Sequence, residues 1–159
     1  MRLTAFTDYS LRVLIYLAAH PGRRATVGEI ARRFALKENH LTKVVHFLGK
    51  QGLLANVRGK GGGLDLALPP ERIVIGQVVR QTEGAAMPAE CFAADGGHCG
   101  IARLCRLRGV LHEAVQAFYR VLDGYTLADL VHNRDELVQV MQFMPVGAAA
   151  PVPLAEDTP

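Results

Sequence analysis

The 159-residue sequence predicts a mainly α fold carrying one short β-hairpin, and three patterns predict it. Two short amphipathic helices stand across a tight turn between Thr26 and Lys50, and a glycine-tipped hairpin follows at once. Further on, an apolar stripe of about five helical turns runs from Leu104 to Leu122. Between hairpin and stripe lie Cys91 and Cys99, and Cys105 stands at the start of the stripe; these are the three cysteines of the chain.

Each element has a local reason. Residues 8–19 place Leu11, Leu14, Ile15 and Ala18 at helical spacing, and His20-Pro21-Gly22 stops them. Thr26-Val-Gly-Glu29 has the form of a capping box. Val27, Ile30, Ala31 and Phe34 follow at i, i+3, i+4 and i+7, which predicts a short helix to about Phe34. After a turn through Ala35-Leu36-Lys37, Leu41, Val44, Val45 and Leu48 give a second helix its core face, and Gly52 supplies a left-handed C-cap. Leu53–Arg58 and Leu64–Leu68 read as strands around the mobile turn Gly59-Lys60-Gly61-Gly62-Gly63.

A helix pair followed directly by such a hairpin predicts a winged helix-turn-helix, whose second helix enters the major groove of DNA. On that helix Glu38, Asn39, His40, Thr42, Lys43, His46 and Lys50 point outward. Asn39, His40 and Lys43 lie toward its N-terminal half, where base edges are met; Asn suits adenine, and Lys suits guanine or phosphate. At the wing, Arg58 and Lys60 are placed to meet phosphate or the minor groove, and Gly61 and Gly62 let the backbone approach. Read as a nucleotide phosphate loop the same glycines fail, because no Gly-Lys-Ser/Thr follows and no helix opens there.

Charge points the same way. Residues 1–60 hold eleven Lys/Arg against three acids, a balance of +8, while residues 61–159 hold seven against twelve, a balance of −5. A polyanion partner is expected for the first half only.

Pro69-Pro70 separates the wing from a further amphipathic helix over Ile73–Glu83. In the long stripe, Leu107, Val110, Leu111, Ala114, Val115, Phe118, Val121 and Leu122 share one face, which predicts a dimer interface. A two-fold homodimer would match a palindromic operator on double-stranded DNA. Thr126-Leu-Ala-Asp129 starts another helix. The organisation expected is a DNA-binding domain over 1–70, a connecting helix in 71–89, a cysteine-bearing cluster loop at 90–106, a dimerisation helix with further helices over 104–143, and a disordered Pro/Ala/Gly-rich tail over 144–159.

No apolar run approaches the roughly 20 residues of a membrane span, and the N-terminus lacks the apolar core of a signal peptide. A cytoplasmic protein with reduced thiols is expected. Three thiols cannot close a disulfide framework within one chain, and loops of seven and five residues separate them. Structural zinc sites favour thiols two to four residues apart, and no Cys-x-x-Cys occurs. The wider loops suit an iron–sulfur cluster better than one small ion, although His98 leaves a Cys₃His zinc site open. Thiol-based redox sensing is a third possibility. A thiol oxidoreductase using Cys99 or Cys105 would be the enzyme alternative, but it lacks Cys-x-x-Cys and a nucleophile–base pair, so no enzyme is expected.

Phe6-Thr-Asp-Tyr-Ser-Leu-Arg12, Glu38-Asn-His-Leu-Thr-Lys-Val-Val45, Val57-Arg-Gly-Lys-Gly-Gly-Gly-Leu64 and Leu122-Asp-Gly-Tyr-Thr-Leu-Ala-Asp-Leu130 together resemble the NsrR family, nitric-oxide-sensing repressors of the IscR-like superfamily. The resemblance covers about residues 1–132 and implies a homodimeric repressor with one [4Fe-4S] cluster per subunit. Nitric oxide would attack that cluster, release the operator and derepress nitric-oxide detoxification genes. By the same resemblance Cys91, Cys99 and Cys105 are thiolate ligands and Asp8, reached across the dimer, is the fourth; by local chemistry alone Asp8 reads as a helix-capping carboxylate. Two positions depart from the pattern. Arg108 stands where IscR-type members carry a His, which argues against their [2Fe-2S] ligation, and the seven-residue first loop makes Cys91 the least typical ligand. In addition, Asp65 puts a negative charge on a wing strand.

Overall fold

The computed structural model describes residues 3–59, 61–84, 92, 99–101 and 104–143. In chain order it comprises α1 (Ala5–Ala19), α2 (Val27–Arg33), α3 (Glu38–Lys50), β1 (Leu54–Val57), β2 (Gly63–Leu66), a 3₁₀ turn (Pro70–Arg72), α4 (Ile75–Glu83), α5 (Arg106–Asp123), α6 (Leu127–Leu130) and α7 (Arg134–Phe143). The architecture is mainly helical with a two-stranded antiparallel sheet, and the register pairs Leu54 with Leu66 and Val57 with Gly63.

Helix α1 is the centre of the core. Val13, Leu14, Tyr16 and Leu17 are buried on it, and it packs against α3, α4, α6, α7 and β2. It begins at Ala5, three residues before the start read from the sequence. Thr4 is the N-cap, and its side chain accepts the Thr7 N–H. Glu83, at the end of α4, accepts both the Thr4 N–H (2.8 Å) and the Thr4 hydroxyl (3.0 Å). Burial opposes the charged form of Glu83, but hydrogen bonds from Thr7 and Thr4 outweigh it and hold this carboxyl below its ordinary value.

The helix-turn-helix pair forms as its apolar spacing requires. Ile30 and Ala31 on α2 and Leu41, Val44, Val45 and Leu48 on α3 are buried against α1, where Phe6 meets Phe47 edge-on with ring centroids 5.3 Å apart. Thr26 accepts the Glu29 N–H at 3.1 Å, but the reciprocal half of the expected capping box is not made. The Glu29 carboxylate instead accepts the Tyr16 hydroxyl (2.7 Å) and Arg23 (2.6 Å), which ties α2 to α1. Burial and then the Glu29 hydrogen bond raise the Tyr16 pKa. A complete capping box occurs instead at the helix start read at Thr126, between Thr126 and Asp129. Gly52, at φ +72°, takes the left-handed conformation expected after α3.

Helix α5 differs from the others. Eighteen residues long, it buries none of them. Phe118, Tyr119 and Leu122 pack against the core, whereas Leu107, Val110 and Val121 are each 61% exposed. Its last turn crosses α4 closely: a Cβ added to Gly76 would lie 2.1 Å from Asp123 Oδ1 and 2.9 Å from the Asp123 backbone nitrogen, so only glycine fits. Arg80 donates through both terminal nitrogens to the two Asp123 oxygens, at 2.5 and 2.6 Å, and covers the Tyr119 ring. That guanidinium holds the Asp123 carboxyl below its ordinary range. No described helix is long and apolar enough to cross a membrane.

Candidate nucleic-acid interface and cysteine site

The predicted outward face of α3 is solvent-exposed: Asn39, His40, Lys43, His46 and Lys50 all lie on it. At 100° per residue, Asn39, Lys43, His46 and Lys50 fall within one narrow stripe, opposite the buried Leu41, Val44, Val45 and Leu48. Lys37 caps α3 without a side-chain bond, so the polar atoms of this face are not consumed by the helix start.

To the exposed Lys43 and Lys50 of α3 the hairpin adds a further exposed cation, Arg58. Its tip turns through Gly59 (φ +97°) and Gly61 (φ +79°), closed by Gly62 N–H donating to Gly59 O at 2.9 Å. A Cβ at Gly62 would come within 2.4 Å of Val57 O, so the turn excludes any side chain there. Lys60 lies outside the described residues. The wing is also held from behind, by contacts that the spacing of residues did not reveal. Ala25 pairs with Leu64 as a third, one-residue strand, and Arg24 Nη1 donates to Gly61 O at 3.2 Å. Asp65 pairs with Ala55, on the face opposite Leu54, Asn56 and Leu64, and its carboxylate accepts the Leu66 N–H at 2.9 Å. Its charge is therefore turned away from α3.

Asp8 lies in the first turn of α1, where Thr4 and not Asp8 makes the cap. Its carboxylate forms a two-point ion pair with Arg12, Nε at 3.0 Å and Nη2 at 2.8 Å, with both side chains about half exposed. The Arg12 guanidinium lies 5.9 Å from the centre of the Phe34 ring. Phe34 ends α2 and precedes Ala35, whose φ of +52° makes the turn into α3. Asp8 thus reaches the helix-turn-helix corner through two side chains.

Cys91 and His98 lie outside the described residues. Cys99 is exposed and Cys105 partly exposed, and neither is in a disulfide. Cys105 is the N-cap of α5 and its side chain makes no capping bond, so its sulfur is available. Phe92, next to Cys91 in the chain, stacks on His112 with centroids 6.4 Å apart and is covered by Arg108 at 5.7 Å. Arg108 therefore spends its charge on an aromatic ring. Among the described residues, no three His, Cys, Asp or Glu side chains gather closely enough to hold a metal ion, so Asp8 does not join Cys99 and Cys105 within one chain. The donor set itself, free thiols on a short stretch of chain, fits a soft-metal group such as iron–sulfur.

Two helices across a tight turn, an exposed polar stripe on the second and a wing pinned beside it define a winged helix-turn-helix DNA-binding protein. A family model described as Rrf2, iron-dependent transcriptional regulator, matches residues 3–133. The chain belongs to the Rrf2 family. It is 48% identical over 144 residues to the HTH-type transcriptional regulator NsrR of Shouchella clausii, covering 90% of this chain and 97% of that one. It is 46% identical to the regulator of the same name from Bacillus subtilis, covering 90% and 99%. Among solved structures, IscR of T. potens aligns with a TM-score of 0.69 and 27% identity over 86% of this chain and 90% of that one. CymR, the global cysteine regulator of B. subtilis, aligns with a TM-score of 0.65 and 29% identity, over 84% and 98%. These relatives are transcriptional regulators and not enzymes, which sets the oxidoreductase alternative aside.

Proposed function

We propose that this chain is a cytoplasmic, homodimeric repressor that senses nitric oxide through a [4Fe-4S] cluster and releases a palindromic operator in front of nitric-oxide detoxification genes. The observation that carries the reading is that α5 starts at a free thiol, Cys105, and leaves Leu107, Val110 and Val121 of its apolar stripe uncovered. One element then serves as thiol carrier and as subunit interface, and a change at the cysteines acts on the dimer. Likeness to NsrR regulators over nine-tenths of the chain supports the same assignment.

In this reading Cys91, Cys99 and Cys105 would hold the cluster as thiolates, and Asp8 of the other subunit would be its further ligand. When bound, the cluster supplies the atoms with which nitric oxide reacts. The chain supplies the coupling. Asp8 has a competing partner in Arg12, and Arg12 covers Phe34 at the corner where α2 turns into α3. Were Asp8 to leave Arg12, the guanidinium would be free to shift on Phe34, beside the seat of α3. On DNA, Asn39, His40 and Lys43 face base edges in the major groove, while Arg58, Lys60, Gly61 and Gly62 bring the wing into the adjacent minor groove.

Native mass spectrometry of protein purified without oxygen tests this. A dimer with two four-iron, four-sulfide masses is expected. Two irons and two sulfides per subunit would move the signal to redox or iron supply, and a zinc-loaded or metal-free dimer would remove nitric oxide altogether. Asp8→Ala tests the coupling: an unchanged cluster spectrum together with an unchanged nitric-oxide response would sink it.

A further inference from the structure

The base-facing stripe of α3 is longer than the groove it enters. Thirteen residues extend roughly 20 Å, against about 12 Å for the width of the major groove. Asn39 and Lys43 occupy the first half of the stripe, whereas His46 and Lys50 continue it toward the wing. There the structure holds a cleft of about 360 Å³ between α3 and the hairpin, with His46, Gly49, Lys50 and Asn56 around a floor of Leu54 and Leu64. No carboxylate lines it, and Asp65 sits on the opposite face of the hairpin.

We propose that this cleft seats one sugar–phosphate strand of the bound duplex, gripped by Lys50, His46 and Asn56. The proposal rests on the docking reading above, and the geometry of DNA then demands it. A major groove and its neighbouring minor groove are separated by one backbone strand. If α3 lies in the first and the wing tip in the second, that strand passes between them. The cleft meets it with one full cation, an imidazole donor and an amide donor, all exposed, while Gly49 leaves room for the backbone. These contacts carry no sequence information; they set the register of α3 and the wing.

The test uses the full-length chain, two duplexes and anisotropy titrations at several salt concentrations. One duplex is mixed-sequence B-DNA; the other is selected by the wild-type chain from a random pool. Lys50→Ala should weaken binding to both by the same factor, roughly five-fold near 0.15 M salt, and flatten the log–log salt slope by about 0.9. Asn56→Ala should weaken both equally without changing the slope. Gly49→Glu places an acid in the cleft and should cost about 100-fold or more. Gly49→Ala is the folding control: its Cβ would sit at an ordinary 4.0 Å from Leu54 O, and it should bind within about two-fold of wild type. Wild-type binding by Lys50→Ala and Gly49→Glu, with Arg58→Ala weakened, overturns the seat and keeps the docking reading. Wild-type binding by all three overturns both. A Lys50→Ala loss confined to the selected duplex makes Lys50 a base reader and also overturns the seat.

Discussion

Helices α3 and α5 both carry an apolar stripe along one face, yet α3 buries Leu41, Val44, Val45 and Leu48 within its own chain and α5, five residues longer, buries nothing. Stripe spacing states that a helix needs a cover; it does not state whose. For α3 the cover is α1, α2 and β1, all supplied by the same chain. For α5 only the last turns, at Phe118, Tyr119 and Leu122, touch the body, and the remaining stripe faces outward among the described residues. The DNA-binding half is thus complete as a single chain, while the thiol-bearing helix is built to be finished by something else, in our proposal a second copy.

Four measurements test that contrast. Leu48→Ala empties a fully buried site on α3 and should cost about 2–5 kcal/mol in denaturant unfolding; a loss under about 1 kcal/mol would remove α3 from the core. Val110→Asp on α5 should leave the helical fold intact by circular dichroism, yield a monomer in sedimentation, and weaken operator binding about 100-fold by removing the second half-site. A variant that stays dimeric with wild-type affinity would move the interface elsewhere. Arg58→Ala should cost roughly 1–3 kcal/mol of operator affinity, and equal binding would take Arg58 out of the interface. The smallest effect is at Glu83. Its carboxyl titrates below its ordinary value of 4.5 in the folded chain, so its contribution is complete above that pH and is lost as pH falls through the lower folded value. Glu83→Gln should lower stability by less than about 1 kcal/mol at neutral pH and converge with wild type in acid. Melting curves that stay apart in acid would show that the clasp on Thr4 does not act through charge.

Local patterns were legible where local chemistry decides. The apolar spacing of α2 and α3, the left-handed Gly52 and the Thr126–Asp129 box all follow from neighbours in sequence. What stayed hidden was set by distant partners. Glu29 has the spacing of a capping box, but Tyr16 and Arg23 take its carboxylate. Helix α1 starts early because Glu83, 79 residues away, clasps Thr4. The outward residues of α3 could be read from periodicity, but Asn56 completes its cleft from a strand, and the Arg24 and Ala25 supports of the wing follow no local pattern. By local chemistry alone Asp8 reads as a cap, because carboxylates favour helix starts; the cap is Thr4, and Arg12, one turn on, takes the carboxylate.

The close crossing at Gly76 gives α5 a mechanical gain. With Asp123 locked against α4 by a missing side chain and by Arg80, the helix is an arm clamped at one end, and Cys105 rides at the other. From Asp123 back to Arg106 the arm measures roughly 26 Å. A tilt of about 10° at the clamp carries its thiol tip roughly 4–5 Å, more than the length of a hydrogen bond. Leverage of that size runs both ways: a sub-ångström adjustment beside the clamp becomes a gap at the sulfur atoms, and a tug on the sulfur atoms reaches α4 as torque.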